Sequence, residues 1–143
     1  KGVPAGLGEP VFDKIDAVLA HAMLSIGAVK GIEFGAGFDA AELTGSENND
    51  SMKKDAVFAS NNAGGILGGI SRGDEIIFRV AVKPVPSIYR EQKTVDTSMS
   101  ECSIKIEGRH DVCLCPRIIP VVEAMAAIAV ADLSLRNRSS KSE

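Results

Sequence analysis

The sequence predicts an α+β fold, and three observations carry that expectation. Two long segments of helical apolar period stand near the two ends of the chain. Short segments of period two lie between them at hairpin-like spacing. No helical pattern separates each strand pair from the next, which favours an α+β sandwich over a doubly wound parallel sheet.

The elements follow in order. Residues 1–8 read as a loop, broken by Gly2, Pro4, Gly6 and Gly8. Pro10 sits where a first helical turn tolerates proline. Val11, Ile15, Val18, Leu19, Ala22, Met23 and Ile26 then recur at helical spacing, predicting an amphipathic helix of about four turns that ends near Gly27. His21 on that helix reads as a packing residue. Residues 28–34 alternate as a strand closed by Gly35 and Gly37. Residues 40–56 carry little to bury, which predicts a functional or mobile loop. Val57 and Phe58 begin a short strand. Residues 75–82 hold Ile76, Ile77, Phe78, Val80 and Val82, a strand with one buried face that Pro84 and Pro86 end. Residues 89–100 are polar, a loop or weak strand, and 103–107 alternate as a half-exposed strand. Pro116 and Pro120 precede a second helix over residues 121–136. Its Val121, Val122, Met125, Ile128, Ala129 and Leu133 cover most of the circumference, so it should be central and largely buried. Residues 136–143 form a charged, serine-rich tail that frays. The 143 residues make a single domain.

Composition excludes several classes. With 4% aromatic residues and no Trp, the core must be aliphatic. A net charge of −3 argues against a nucleic-acid partner. Cys102, Cys113 and Cys115 form no disulfide framework, which fits a reducing, cytoplasmic compartment. The last two make only a CxC without the second pair of a zinc site, so no metal is expected and the thiols read as buried or idle. The most apolar stretch, residues 118–131, is too short to span a bilayer and contains Pro120 and Glu123, so no membrane partner is expected. The chain begins at Lys1, without Met, inside a patterned segment. That start predicts a piece of a longer protein.

The chemistry concentrates between residues 60 and 111. Gly64, Gly65, Gly68 and Gly69 leave backbone N–H groups open to close approach. No Gly-Lys-Ser/Thr follows, so the loop is not a P-loop, and it lies between strands rather than opening a helix, so it is not a dinucleotide fingerprint. Asn61 and Asn62 beside it have amides able to serve a ligand or the loop backbone. Lys83 ends a hydrophobic strand; alone it reads as a solvated lysine. Gly108-Arg109-His110-Asp111 sets a fixed cation beside two titratable groups. Alone it reads as a surface turn held by a salt bridge. Asp111 beside an arginine should stay ionised and serve as a base.

Together these motifs resemble the chorismate synthase family. Gly2-Val3-Pro4-Ala5-Gly6-Leu7-Gly8-Glu9-Pro10-Val11-Phe12-Asp13-Lys14 looks like the segment opening the family's C-terminal portion. Ala20-His21-Ala22-Met23-Leu24-Ser25-Ile26 and Ala28-Val29-Lys30-Gly31 continue the likeness. So do residues 60–71, Lys83-Pro84, Gln92-Lys93-Thr94-Val95, Gly108-Arg109-His110-Asp111 and Val121-Val122-Glu123-Ala124-Met125. The likeness runs through nearly the whole chain in register.

The resemblance implies a lyase of the shikimate pathway and of aromatic amino acid biosynthesis. It would convert 5-enolpyruvylshikimate 3-phosphate to chorismate and phosphate with reduced FMN. It also implies a β-α-β sandwich with long helices packed against antiparallel sheets, a cytoplasmic homotetramer, and a link to NADP. By position, FMN contacts fall on Gly27 and Ala28, on Gly68, on Lys83, Pro84, Val85, Pro86 and Ser87, and on Arg109. Arg109 would also lie near the substrate, where its planar cation bridges anions. Asp111 matches the family's aspartate beside the flavin. Two departures stand out: Val85-Pro86 occupies positions where the family has small hydroxyl residues, and Val112 stands where it has proline. The family's substrate-binding arginines and its two catalytic histidines have no counterpart in this chain, so the expectation is a partial active site. The alternative reading is a non-catalytic flavin- or phosphate-binding or structural fragment.

Overall fold

Ile15, Leu19 and Met23 recur every fourth residue, all are buried, and that stripe defines the first helix, α1 (Ile15–Leu24). The computed structural model describes residues 1–54 and 57–140. The helix starts later than the apolar pattern suggests, since Val11 and Phe12 are 71% and 89% exposed. The preceding residues form a turn in which Glu9 N donates to Asp13 O, and Ile15 N donates to Gly69 O at 2.9 Å. A carbonyl from another element therefore satisfies the first helical amide. His21 is exposed on this helix rather than packed.

Strand β1 (Val29–Phe34) pairs antiparallel with the later strand β4 (Phe78–Val82), from Phe34 opposite Phe78 to Val29 opposite Val82. A register shift between Val29 and Gly31 bends the ladder at its end. Between them come a 3-10 helix (Gly37–Glu42) and a single helical turn, α2 (Gly45–Asn48). Thr44 and Glu47 close a capping box on that turn. Much of the segment read as a loop at 40–56 is thus helical in its first half. Asp55 and Ala56 lie outside the described residues. The short strand expected at Val57 and Phe58 reduces to one bridge between Met52 and Phe58.

The glycine-rich segment forms a hairpin of β2 (Ile66–Leu67) and β3 (Ile70–Ser71). Gly68 and Gly69 make its two-residue turn with φ of +60° and +84°, the left-handed pair that matches strand twist and favours glycine. A second hairpin joins β5 (Gln92–Val95) to β6 (Glu101–Ile104), the latter starting two residues earlier than the predicted strand at 103 and exposed along its length. Mixed helices and two-stranded antiparallel sheets make the fold α+β, as expected.

The second long helix, α3 (Cys115–Ser140), runs through Pro116 and Pro120 instead of starting after them. Pro120 lacks the N–H that the preceding turn would bond, a local cost the rest of this 26-residue helix tolerates. Its burial departs from expectation: of its residues only Ala129 and Leu133 are buried, while Ile119, Ile128 and Leu135 are 55%, 63% and 64% exposed. Against it lies α1, which covers one stripe of a helix that is apolar nearly all round. By length and composition alone, α3 is also long and apolar enough to cross a bilayer, contrary to the expectation drawn from residues 118–131. Residues 136–140 are its last turn, tied down by Arg136 to Asp13 at 2.8 Å and by Asn137 Nδ2 donating to Gly6 O at 2.9 Å; residues 141–143 lie outside the described residues.

The core is aliphatic: Leu7, Ile15, Leu19, Ile66, Ala129 and Leu133 pack together. Ser71, buried beside them, donates to Pro4 O and accepts from Leu7 N, pinning the N-terminal segment to the hairpin.

Candidate functional site

Three of the four glycines in the hairpin segment serve packing. A Cβ on Gly64 would come within 2.5 Å of Gly35 N, one on Gly65 within 2.5 Å of Glu75 O, and one on Gly69 within 2.4 Å of the Lys14 stem. A Cβ on Gly68 would meet nothing within 4 Å. Gly68 alone of the four leaves room for a ligand to reach its backbone. The asparagines go to the loop backbone: Asn61 Oδ1 accepts from Gly65 N at 2.6 Å and its Nδ2 donates to Glu75 O, while Asn62 Nδ2 reaches Glu47 O and Asn48 O.

Behind this loop lies a charged pair that the sequence reading missed. Arg72 Nη1 stands 2.9 Å from Asp50 Oδ2, with side chains 7% and 3% exposed. Asp50 also accepts from Ser60 Oγ and Asn62 N, both at 2.7 Å, and from Ala63 N at 3.0 Å. Burial by itself would raise the Asp50 carboxyl, but the hydrogen bonds from Ser60, Ala63 and Asn62 and the Arg72 charge outweigh it and bring it down to about 2. The guanidinium lies 3.9 Å over the Phe58 ring. The only hint in the sequence was Arg72 following the glycines.

The register of β1 on β4 brings Gly27-Ala28 to Lys83. Lys83 N donates to Ala28 O at 2.8 Å, just beyond the Val29–Val82 pair. From Lys83 the chain runs straight into one wall of a cleft of about 340 Å3, formed by Pro84, Val85, Ser87, Ile88 and Tyr89. His110, Asp111 and Val112 complete the lining. Pro86 is exposed and outside the lining. The structure therefore sets Ala28, which follows Gly27, beside Lys83, and places Pro84, Val85, Ser87 and Asp111 in the lining of one cleft, with Lys83 next to it in sequence but outside the lining. Arg109 is exposed and does not line the cleft, and Gly68 sits on the β2–β3 turn beside the start of α1.

Asp111 is paired, but not with its sequence neighbour Arg109. Its Oδ2 accepts from Arg117 Nη1 at 3.0 Å, a residue in the first turn of α3. The structure adds Tyr89, the only tyrosine in the chain, which packs edge-on against His110 at 4.6 Å between centroids and donates its hydroxyl to Gly108 O. His110 Nε2 lies 3.1 Å from Ile106 O. Tyr89 thus pins the turn that carries Arg109 and Asp111, and nothing in its spacing announced that. The cysteines are exposed rather than buried.

The fold is α+β, and the end of β4 leads past Lys83 into a cleft lined by Ser87 and Asp111. The sequence matches the family described as chorismate synthase over residues 1–135, and the chain belongs to that family. It is 60% identical over 138 residues to a chorismate synthase of Maridesulfovibrio salexigens, covering 96% of this chain and 39% of the relative. It is 59% identical over 139 residues to that of Archaeoglobus fulgidus, covering 94% and 39%. A crystal structure of chorismate synthase superposes with a TM-score of 0.74 at 36% identity, covering 95% of this chain and 35% of that one. The chain thus spans about two fifths of the length of the relatives it matches.

Proposed function

We propose that this chain supplies part of the reduced-FMN site of a chorismate synthase, and that the complete protein converts 5-enolpyruvylshikimate 3-phosphate to chorismate and phosphate. One observation carries the reading: strand pairing sets Ala28 against Lys83 at the mouth of a cleft that Ser87 and Asp111 line. These residues suit the cofactor. Pro84, Val85, Ile88 and Val112 offer apolar surface to a flat ring, Ser87 a hydroxyl, Lys83 a cation for phosphate, and Gly68 an open backbone.

Reduced FMN, when bound, supplies the electron that loosens the allylic C–O bond and takes it back. The residues of this chain do the rest of what falls to them. Lys83 and Arg109 attract the phosphorylated ligands. Ser87 donates a hydrogen bond, and the apolar wall excludes water from the ring face. Asp111, oriented by its ion pair with Arg117, holds or accepts a proton at its carboxylate. The chain alone is incomplete and inactive, because the family's substrate-binding arginines and catalytic histidines lie outside it. The complete protein works in the cytoplasm as a homotetramer.

The test is a titration of the chain with FMN up to about 1 mM, followed by flavin fluorescence. Saturable quenching that Lys83→Met weakens by about tenfold supports the reading. Quenching unchanged by Lys83→Met contradicts it.

A further inference from the structure

The Asp50–Arg72 pair lies outside the cleft, and its hydrogen bonds reach toward the hairpin whose turn carries the open Gly68. Arg72 directly follows Ser71, the last residue of β3. Besides Asp50, its Nη2 donates to Asn61 Oδ1 at 2.9 Å and to Ser60 O at 3.3 Å, and its Nε lies 2.7 Å from Asp74 Oδ2. Asn61 Oδ1 in turn accepts from Gly65 N, and Arg72 N donates to Gly65 O at 3.0 Å. The chain entering β2 and the chain leaving β3 are therefore held by the same two side chains. Between those two points lies only the hairpin with Gly68 at its turn.

A buried ion pair is a poor source of stability, since desolvation offsets most of the attraction and an apolar pair of similar size often serves as well. What an apolar pair could not do is aim donors and acceptors at Ser60, Asn61, Asn62 and Ala63 together. We infer that Asp50 and Arg72 are positioning residues: they lock the approach to the β2–β3 hairpin and so hold Gly68 at the setting where its backbone meets the phosphorylated cofactor. The inference rests on the FMN reading above for the identity of the ligand and on the hydrogen bonds alone for the lock.

Two variants test it, each measured three ways. Arg72→Lys keeps the charge beside Asp50 but loses the fork that reaches Asn61. The double variant Asp50→Leu with Arg72→Met removes both charges and keeps an apolar filling. The readouts are thermal unfolding, amide exchange at Gly65–Ser71 in the chain without ligand, and the FMN dissociation constant. We expect both variants to fold, with exchange of those amides faster by about tenfold or more and FMN affinity lower by about tenfold. If the double variant restores protection and affinity, the pair is filling only and the inference is overturned. Wild-type affinity with fast-exchanging hairpin amides overturns the link between the lock and the ligand. If the wild-type chain takes up no FMN, the cofactor reading fails, and exchange alone decides the lock: unchanged protection in Arg72→Lys overturns it.

Discussion

Asp111 Oδ2 receives Arg117 Nη1 at 3.0 Å, so the aspartate of the Gly108-Arg109-His110-Asp111 turn is tied to the first turn of α3 rather than to the arginine two residues before it. The pair is partly exposed, at 60% for the arginine side chain and 30% for the aspartate, and an ion pair of that kind contributes little to folding. Its consequence is positional: the helix N-terminus fixes which way the carboxylate faces.

In a complete enzyme carrying these residues, Asp111→Asn keeps the shape and removes the carboxylate proposed to handle the proton. Turnover should fall by roughly 100-fold or more with flavin affinity nearly unchanged. Arg109→Ala should instead weaken flavin or substrate by about tenfold or more, because a fixed cation serves ground state and transition state alike. Dissociation constants and turnover of the two variants check this; flavin loss in Asp111→Asn as severe as in Arg109→Ala would sink the division of labour.

The glycines divide by space. Gly65→Ala should destabilise the chain far more than Gly68→Ala, since its Cβ would press into Glu75 O while that of Gly68 meets open space. Gly68→Ala still has the left-handed backbone against it, costing about 1–2 kcal/mol. Urea unfolding of both variants measures the difference, and equal destabilisation would contradict the packing roles.

The two faces of α3 should respond differently. Leu133, 1% exposed, packs in the core, and Leu133→Ala should cost about 2–5 kcal/mol. Ile128, 63% exposed, should change stability by less than about 0.5 kcal/mol on Ile128→Ala in the isolated chain. Comparable losses at the two positions would mean that this face of α3 is covered.

Acid should reach the Asp50 lock late. The folded carboxyl lies at about 2, below its ordinary 3.8, so its contribution is complete above pH 3.8 and is lost as pH falls toward 2. Asp50→Asn should remove that part of the acid sensitivity. Wild-type and variant stability curves that run parallel between pH 4 and pH 2 would refute it.

What the sequence made legible follows from periodicity. The Ile15–Leu19–Met23 stripe and the alternation of β1 and β4 signal through local pattern, whereas the β2–β3 hairpin, read as a glycine-rich loop, is too short to show a period. The burial of α3 was not legible, because an apolar residue such as Ile128 is written the same way whether or not a partner covers it. Nor was the Asp50–Arg72 pair, whose members are 22 residues apart and sit in a polar run and after a turn. Lys83, Ser87 and Asp111 are singled out by family likeness, whereas Tyr89, which lines the cleft with Ser87 and Asp111, carries no motif.

The most direct measurement replaces the matching 138 residues of the Maridesulfovibrio salexigens chorismate synthase with this chain. Chorismate formation is then followed anaerobically with reduced FMN and 5-enolpyruvylshikimate 3-phosphate. We expect the chimera to turn over and the isolated chain to give no chorismate. A folded chimera without activity, or an isolated chain turning over at about 1 per second or faster, would contradict the proposal that this chain is a working but partial chorismate synthase site.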